Sequence, residues 1–243
     1  MLLLEECSGG GKDLFEAAID GNLTKVQTLL GCPSMDINYV QDDKTPLFMA
    51  SQNGHLGVVK EILSHPQTDV NKGHIAEGTT PLHTASRNGH LDVVKELLAH
   101  PNIDVNKAVV VAPLYAASRW GHLEVVKELL ADARVDPNVQ CGRYNRTSLM
   151  GAIERSKINV VELLLRCPRV DITLKDNQGD TALEIATNNG KHSYVSVIQS
   201  RPTLLQEVHT CSQEQGEYTM ISGEVACSGQ GEIKNTEDTV KPI

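Results

Sequence analysis

Apolar residues recur along this chain at helical spacing, and the same short pattern returns at intervals of 32 to 35 residues. In residues 91–98 the leucines and valines fall on one side of a helix, and the charged residues fall on the other. The same apolar stripe appears in residues 23–30, 56–63, 123–130 and 158–165. No isolated helix can bury such a stripe, so the pattern predicts helices that pack against their copies in neighbouring units.

A second landmark precedes most stripes and predicts a shorter helix. Its clearest copy is Thr80-Pro81-Leu82. The Thr hydroxyl can cap the helix, and Pro fits the first helical position because the N–H it lacks would have no partner there. Gly89 suits the left-handed residue that ends this helix, and His90 opens the next one. Related copies begin at Thr45, Ala112, Thr147 and Thr181.

A third landmark follows each stripe and predicts a turn. It reads Asp104-Val105-Asn106 in the third unit, and Asp and Asn favour turns by bonding their own backbone. Equivalent segments begin at Asp36, Asp69, Asp136 and Asp171. Three landmarks that keep the same order over five copies indicate tandem repeats rather than one conventional core.

The clearest copy also identifies a family. Residues 80–85 read Thr-Pro-Leu-His-Thr-Ala, which matches the signature of ankyrin repeats, and the chain resembles that family over residues 12–202. The resemblance implies an all-α solenoid of stacked antiparallel helix pairs joined by β-hairpin-like fingers. We expect about six repeats, the first and last being degenerate caps, because His192 and Gln199 replace aliphatic stripe positions in the sixth.

The flanking segments differ from the repeats in composition. Residues 1–11 are predicted to be a flexible leader. Residues 203–243 contain seven acidic and two basic residues, which predicts a disordered acidic tail. The whole chain has 22 Lys and Arg against 31 Asp and Glu, a net charge of −9 that argues against nucleic-acid binding.

Hydropathy excludes membrane insertion. No apolar run approaches the roughly 20 residues of a membrane-spanning helix, and the acidic start of the chain does not fit a secretory signal. The six cysteines contain no C-x-x-C pair, so we expect reduced thiols. We therefore predict a cytoplasmic monomer, with a nuclear location left open.

Catalytic chemistry finds no support in the sequence. Six of the nine histidines belong to repeat positions, and the other three lack the spacing of metal ligands, so no metal site is predicted. No G-x-S-x-G, H-E-x-x-H or kinase signature is present. The chain is therefore expected to be non-enzymatic and to need no cofactor.

The resemblance directs attention to variable surface positions. Family members usually bind partners on the concave side, which is built from finger tips and from the two residues before the Gly that ends the first helix. The chain's single tryptophan, Trp120, falls at such a position, and Trp and Arg are frequent interface hot spots. The predicted partner-binding residues in repeats three to five are Arg87, Asn88, Val110, Arg119, Trp120, Arg143, Tyr144, Arg146 and Arg155.

Two alternatives stay open at this point. Trp120 could pack across a neighbouring helix while Val109, Val110 and Val111 fill a shortened turn. The function expected first is that of a protein-interaction module or adaptor for an acidic or mixed peptide or domain. The alternative function is a targeting or regulatory scaffold whose tail carries the working motif, since Tyr218-Thr219-Met220-Ile221 resembles a tyrosine-based sorting signal.

Overall fold

The structure is a computed structural model that describes residues 10–33, 35–107 and 111–201. Within these ranges the chain forms helices joined by turns, with isolated β-bridges and no strands. The helices are α1 (Gly10–Asp20), α2 (Leu23–Leu30), α3 (Pro46–Asn53), α4 (Leu56–Ser64), α5 (Pro81–Asn88), α6 (Leu91–Ala99), α7 (Pro113–Trp120), α8 (Leu123–Ala131), α9 (Ser148–Glu154), α10 (Ile158–Arg166), α11 (Ala182–Asn188) and α12 (His192–Gln199).

Helices α3, α5 and α7 begin at the predicted Pro and end at a left-handed Gly, as the landmarks predict. The Thr80 hydroxyl accepts a hydrogen bond from the His83 backbone N–H at 3.1 Å, and Thr45, Thr147 and Thr181 cap their helices in the same way. Gly89 ends α5 in the left-handed region with a φ of 78°. A Cβ atom there would lie 2.4 Å from the ring of His122, so glycine is required both for its backbone angle and for space.

Six helix pairs stack in two layers. Each odd-numbered helix packs against the odd-numbered helices of adjacent repeats, and the even-numbered helices form the second layer in the same way. The main core lies between the layers and consists mostly of Leu, Val, Ile and Ala side chains with two Met, and Tyr194 is its one aromatic member among the described residues. Close stacking of short helices therefore explains the 3% aromatic content.

The Asp-x-Asn landmark joins repeats as well as making turns. Asp104 accepts the predicted bond from the Asn106 backbone N–H, but the Asn106 side chain bonds to the next repeat. Its amide donates to the Arg134 carbonyl at 2.7 Å and accepts from the Asp136 N–H at 2.8 Å. Equivalent bonds are made by Asn38, Asn71 and Asn138. The prediction that these side chains bond their own backbone is therefore confirmed for Asp104, whereas the Asn106 side chain bonds to the next repeat.

The helix-opening histidines form a second inter-repeat ladder. The ring Nε2 atoms of His55, His90 and His122 lie 2.8 to 3.0 Å from backbone carbonyl oxygens of the preceding repeat. These rings are thus bound within the array. Among the described residues, no group of three or more His, Cys, Asp or Glu side chains is placed to hold a metal ion.

The fingers are short turns of unequal length. Isolated bridges close them at Gln41 and Lys44, at His74 and Thr79, and at Cys141 and Arg146. Adjacent fingers are joined through the backbone, since Ile75 N–H donates to the Asp43 carbonyl and Asn177 N–H donates to the Tyr144 carbonyl. We call the surface made by the finger tips and the C-terminal ends of the odd-numbered helices the finger face.

The N-terminal end differs from the sequence expectation in two respects. Helix α1 begins at Gly10, inside the predicted leader. Gly11 packs so closely on Tyr39 that a Cβ atom would clash with that side chain. Cys141 and Cys167 are free thiols, but Cys32 is disulfide-bonded, so the expectation of reduced thiols was wrong for Cys32.

No helix in the described ranges is long and apolar enough to cross a bilayer. The tail 203–243 lies outside the described residues.

Candidate functional site

Trp120 is a large, exposed aromatic group of the finger face. It is the last residue of α7, directly before the left-handed Gly121, and 49% of its surface is exposed. The guanidinium carbon of Arg87, from the preceding repeat, lies 5.5 Å from its ring centroid. This cation–π contact holds the indole against α5 while leaving much of the ring open to a partner.

Tyr144 presents a second open ring on the fifth finger. Its exposure is 41%, and two arginines of the same finger flank it. The guanidinium carbons of Arg143 and Arg146 lie 5.6 and 4.9 Å from the ring centroid. The ring is therefore fixed by its neighbours, which lowers the entropy cost of using it in a contact.

Glu154 connects the two ring sites. It ends α9, and its carboxylate oxygen Oε2 pairs with Arg119 Nη1 at 2.7 Å and with Arg146 Nη1 at 3.2 Å. Arg119 also donates to the Tyr115 hydroxyl at 3.0 Å. Burial raises the pKa of Tyr115, although the nearby Arg119 acts in the opposite direction. Glu154 thus forms ion pairs with two of the arginines predicted to lie on the surface.

Arg146 belongs more to the interior than to the surface. Only 11% of its side chain is exposed, and its Nε lies 3.0 Å from Oδ2 of the fully shielded Asp176. Burial acts to raise the pKa of Asp176, but hydrogen bonds from Arg146 and from two backbone N–H groups outweigh it, so the pKa lies below its usual value. Sequence reasoning did not select Glu154 or Asp176 as site residues. The only sequence signal for these ion pairs is that each acidic residue lies about one repeat after the arginine it pairs with.

The other predicted residues occupy varied environments. Arg155 is exposed at the end of α9, and exposed Asn88 donates its side-chain amide to the Gln52 carbonyl at 2.7 Å. Val110 lies outside the described residues. Its neighbour Val111 packs against a small cluster that contains Tyr115 and Cys141. We use the name ring surface for Arg87, Asn88, Trp120, Arg143, Tyr144 and Arg155.

A cavity of about 190 Å³ lies beside the ring surface, between the second and third repeats. Its lining includes Phe48, His74, His83 and Arg87. His83 is buried, and desolvation together with the positive charge of Arg87 lowers its pKa to about 4. The imidazole is consequently neutral at physiological pH and serves as a core side chain of α5.

Comparison with known proteins agrees with this architecture. The chain matches the family model described as ankyrin repeats (3 copies) over residues 14–108 and 113–203. It is similar to the crystal structure of EF0377, an ankyrin repeat protein, with 26% identity, a TM-score of 0.70, and coverage of 78% of this chain and 97% of that one. A second similar structure is the ankyrin repeat domain of Bcl-3, a unique member of the IkappaB protein family, with 22% identity, a TM-score of 0.70, and coverage of 77% and 85%.

The second of these likenesses concerns the fold alone. The family match covers most of the chain and includes both layers of helices and the ring surface. Ankyrin repeats are generally non-enzymatic modules for protein–protein interaction. The chain belongs to the ankyrin-repeat family.

Proposed function

We propose that this protein binds a partner protein through the ring surface on the finger face of repeats three to five. The observation that carries the proposal is the half-exposed Trp120, held in place by Arg87 at 5.5 Å. Large aromatic rings that are already ordered before binding are the typical anchors of protein interfaces. In the family this face corresponds to the concave side.

The partner's chemistry follows from which charges are still available. Arg119 and Arg146 are paired with Glu154, so they support the surface rather than recognise a ligand. Of the arginines predicted for this surface, those left exposed are Arg87, Arg143 and Arg155. We infer a peptide or domain that places an apolar or aromatic side chain on Trp120, with a few carboxylates around it. A long acidic run would meet Glu154 and gain less.

The test compares Trp120→Ala with Leu23→Ala, which also removes an exposed large apolar side chain but lies on α2, away from the ring surface. Proximity labelling in the native cell should recover a set of proteins with wild type and Leu23→Ala that Trp120→Ala fails to label. Circular dichroism should show that both variants stay folded.

Calorimetry then checks the recovered partner directly. Truncation of a buried Trp anchor should weaken binding by about 2 kcal/mol, or about thirtyfold in Kd. If Trp120→Ala binds that partner as tightly as wild type, the ring surface is not the interface.

A further inference from the structure

We propose that residues 214–224 of this chain dock on the ring surface and cover it when no partner is bound. The inference rests on the proposed function, because it assigns a regulator to the same surface. The occupant is a named segment outside the described residues, and three observations support the choice.

The first supporting observation is the complementary charge of the tail and the ring surface. The protein carries a net charge of −9, and residues 203–243 contribute seven acidic against two basic residues, more than half of that total. Within the tail, residues 214–224 contain Glu214, Glu217 and Glu224 with no Lys or Arg. The exposed arginines of the ring surface are Arg87, Arg143 and Arg155. Their three positive charges equal the three negative charges of the segment. Arg119 and Arg146 are not counted because they pair with Glu154 and Asp176.

The second supporting observation is the apolar content of the same segment. The same segment contains Tyr218, Met220 and Ile221 between its acidic residues. The ring surface offers Trp120 and Tyr144 with 49% and 41% of their surfaces exposed. Thioether and aromatic groups pack favourably against such rings. The later acidic cluster of the tail, Glu237-Asp238, has no aromatic neighbour and is flanked by Lys234 and Lys241, so it matches the ring surface less well.

Reach is the third. The last described residue, Arg201, donates to the carbonyl oxygens of Cys167 and Val170, so the tail leaves the array at the junction of repeats five and six. From there to the fourth repeat is two repeat steps, or about 20 Å at 8–10 Å per helix contact. Twelve residues lie between Arg201 and Glu214, and the 13 Cα–Cα steps span up to about 43 Å when extended, which also allows a path around the second layer.

Tethering makes even weak docking effective. A short flexible tether gives an effective concentration in the range of about 1 mM, so a segment with a Kd of about 0.1 mM would cover the surface in roughly nine molecules of ten. A partner that binds with micromolar or better affinity would still displace it. The tail would then raise the affinity threshold for partners rather than block them.

The single tryptophan provides a direct readout in the full chain. We would measure the emission maximum and the acrylamide quenching constant of wild type and of the variant Glu214→Gln/Glu217→Gln/Tyr218→Ala. The matched control is Glu232→Gln/Ile233→Ala/Glu237→Gln, which removes the same charge and an apolar side chain elsewhere in the tail. The first variant should red-shift the emission and raise the quenching constant about twofold or more, and the control should match wild type.

Two further measurements make the result decisive. A synthetic peptide of residues 214–224 added to the first variant should restore the shielding. Arg143→Gln/Arg155→Gln in the full chain, which leaves Arg87 on the indole, should reduce shielding as the tail variant does. Equal quenching of wild type and the tail variant would overturn the proposal. Shielding that increases with protein concentration would overturn it as well, because the tail would then bind a second copy. No partner is present in these measurements, so their failure leaves the calorimetric test of Trp120→Ala unaffected.

Discussion

Removal of the Arg146 side chain is the sharpest test of how the ring surface is held. Arg146 is 11% exposed and pairs with Asp176 at 3.0 Å and with Glu154 at 3.2 Å. In Arg146→Ala the shielded Asp176 loses its cation, although it still accepts backbone N–H bonds from Gln178 and Asp180. Glu154, 28% exposed, retains Arg119.

These contacts determine how much free energy of unfolding Arg146→Ala should lose. Breaking a fully buried ion pair costs about 3–5 kcal/mol, and losing a charged hydrogen bond costs about 1.5–3 kcal/mol. Asp176 keeps two donors and Glu154 reaches water, so the lower range applies. We expect Arg146→Ala to lower the free energy of unfolding by about 2–3 kcal/mol. The matched control is Arg143→Ala, on the same finger but without a carboxylate partner among the described ion pairs, which should cost less than about 0.5 kcal/mol.

The pH dependence gives an independent check. The folded-state pKa of Asp176 is lowered, so its contribution to stability is present above the unfolded pKa of about 4 and is lost as pH falls through the folded pKa. Urea unfolding should therefore show the full difference between wild type and Arg146→Ala at pH 7 and a smaller one below pH 4. If Arg146→Ala and Arg143→Ala agree within about 0.5 kcal/mol at pH 7, the shielded pair does not hold the finger.

Two predictions concern the third repeat. The lowered pKa of His83, about 4, means that the neutral ring stabilises the fold above the unfolded pKa of about 6.5 and that this stability is lost as pH falls toward 4. His83→Phe, which places there the residue type of the equivalent Phe48, should remove that dependence: between pH 7 and pH 5 wild type should lose about 2 kcal/mol relative to the variant in urea unfolding, and parallel curves would contradict this. Ser86→Ala removes a buried hydroxyl that lacks a hydrogen-bond partner in the structure, at a position where the first repeat has the fully buried Ala18. The free energy of unfolding should stay equal or rise by up to about 1 kcal/mol, and a loss larger than that would show that the hydroxyl is bonded.

Local signals were sufficient for most of the fold. The Thr80 cap, the left-handed Gly89 and the apolar stripe of residues 91–98 each act within a few residues of themselves. Local chemistry of this kind can be inferred from one copy, and repetition then extends it to the whole array. The exposed position of Trp120 was expected from the family resemblance, which places variable surface residues directly before this Gly.

Contacts between different repeats could not be predicted from local sequence signals. Asn106 and Glu154 act on residues about one repeat away, and nothing within their own turn shows it. A basic residue looks the same in sequence whether it faces solvent, as Arg143 does, or a shielded carboxylate, as Arg146 does. The predicted set of partner-binding residues therefore included side chains that the fold uses for itself.

Position 120 shows how the array and its binding surface share the same positions. In the second and third repeats this position holds Asn53 and Asn88, whose side-chain amides donate to the carbonyl oxygens of Ile19 and Gln52 in the preceding repeat, at 2.9 and 2.7 Å. Trp120 has no carboxamide with which to make that bond, and it belongs to none of the core clusters of the described residues. The fourth repeat thus gives up a bond between repeats and leaves an indole 49% exposed. The contact that Trp120 makes instead is the cation–π contact with Arg87, which leaves half of the ring exposed. A large ring left open where other repeats place a bonded Asn is expected where a residue serves function, which is why the proposed interface is centred on Trp120.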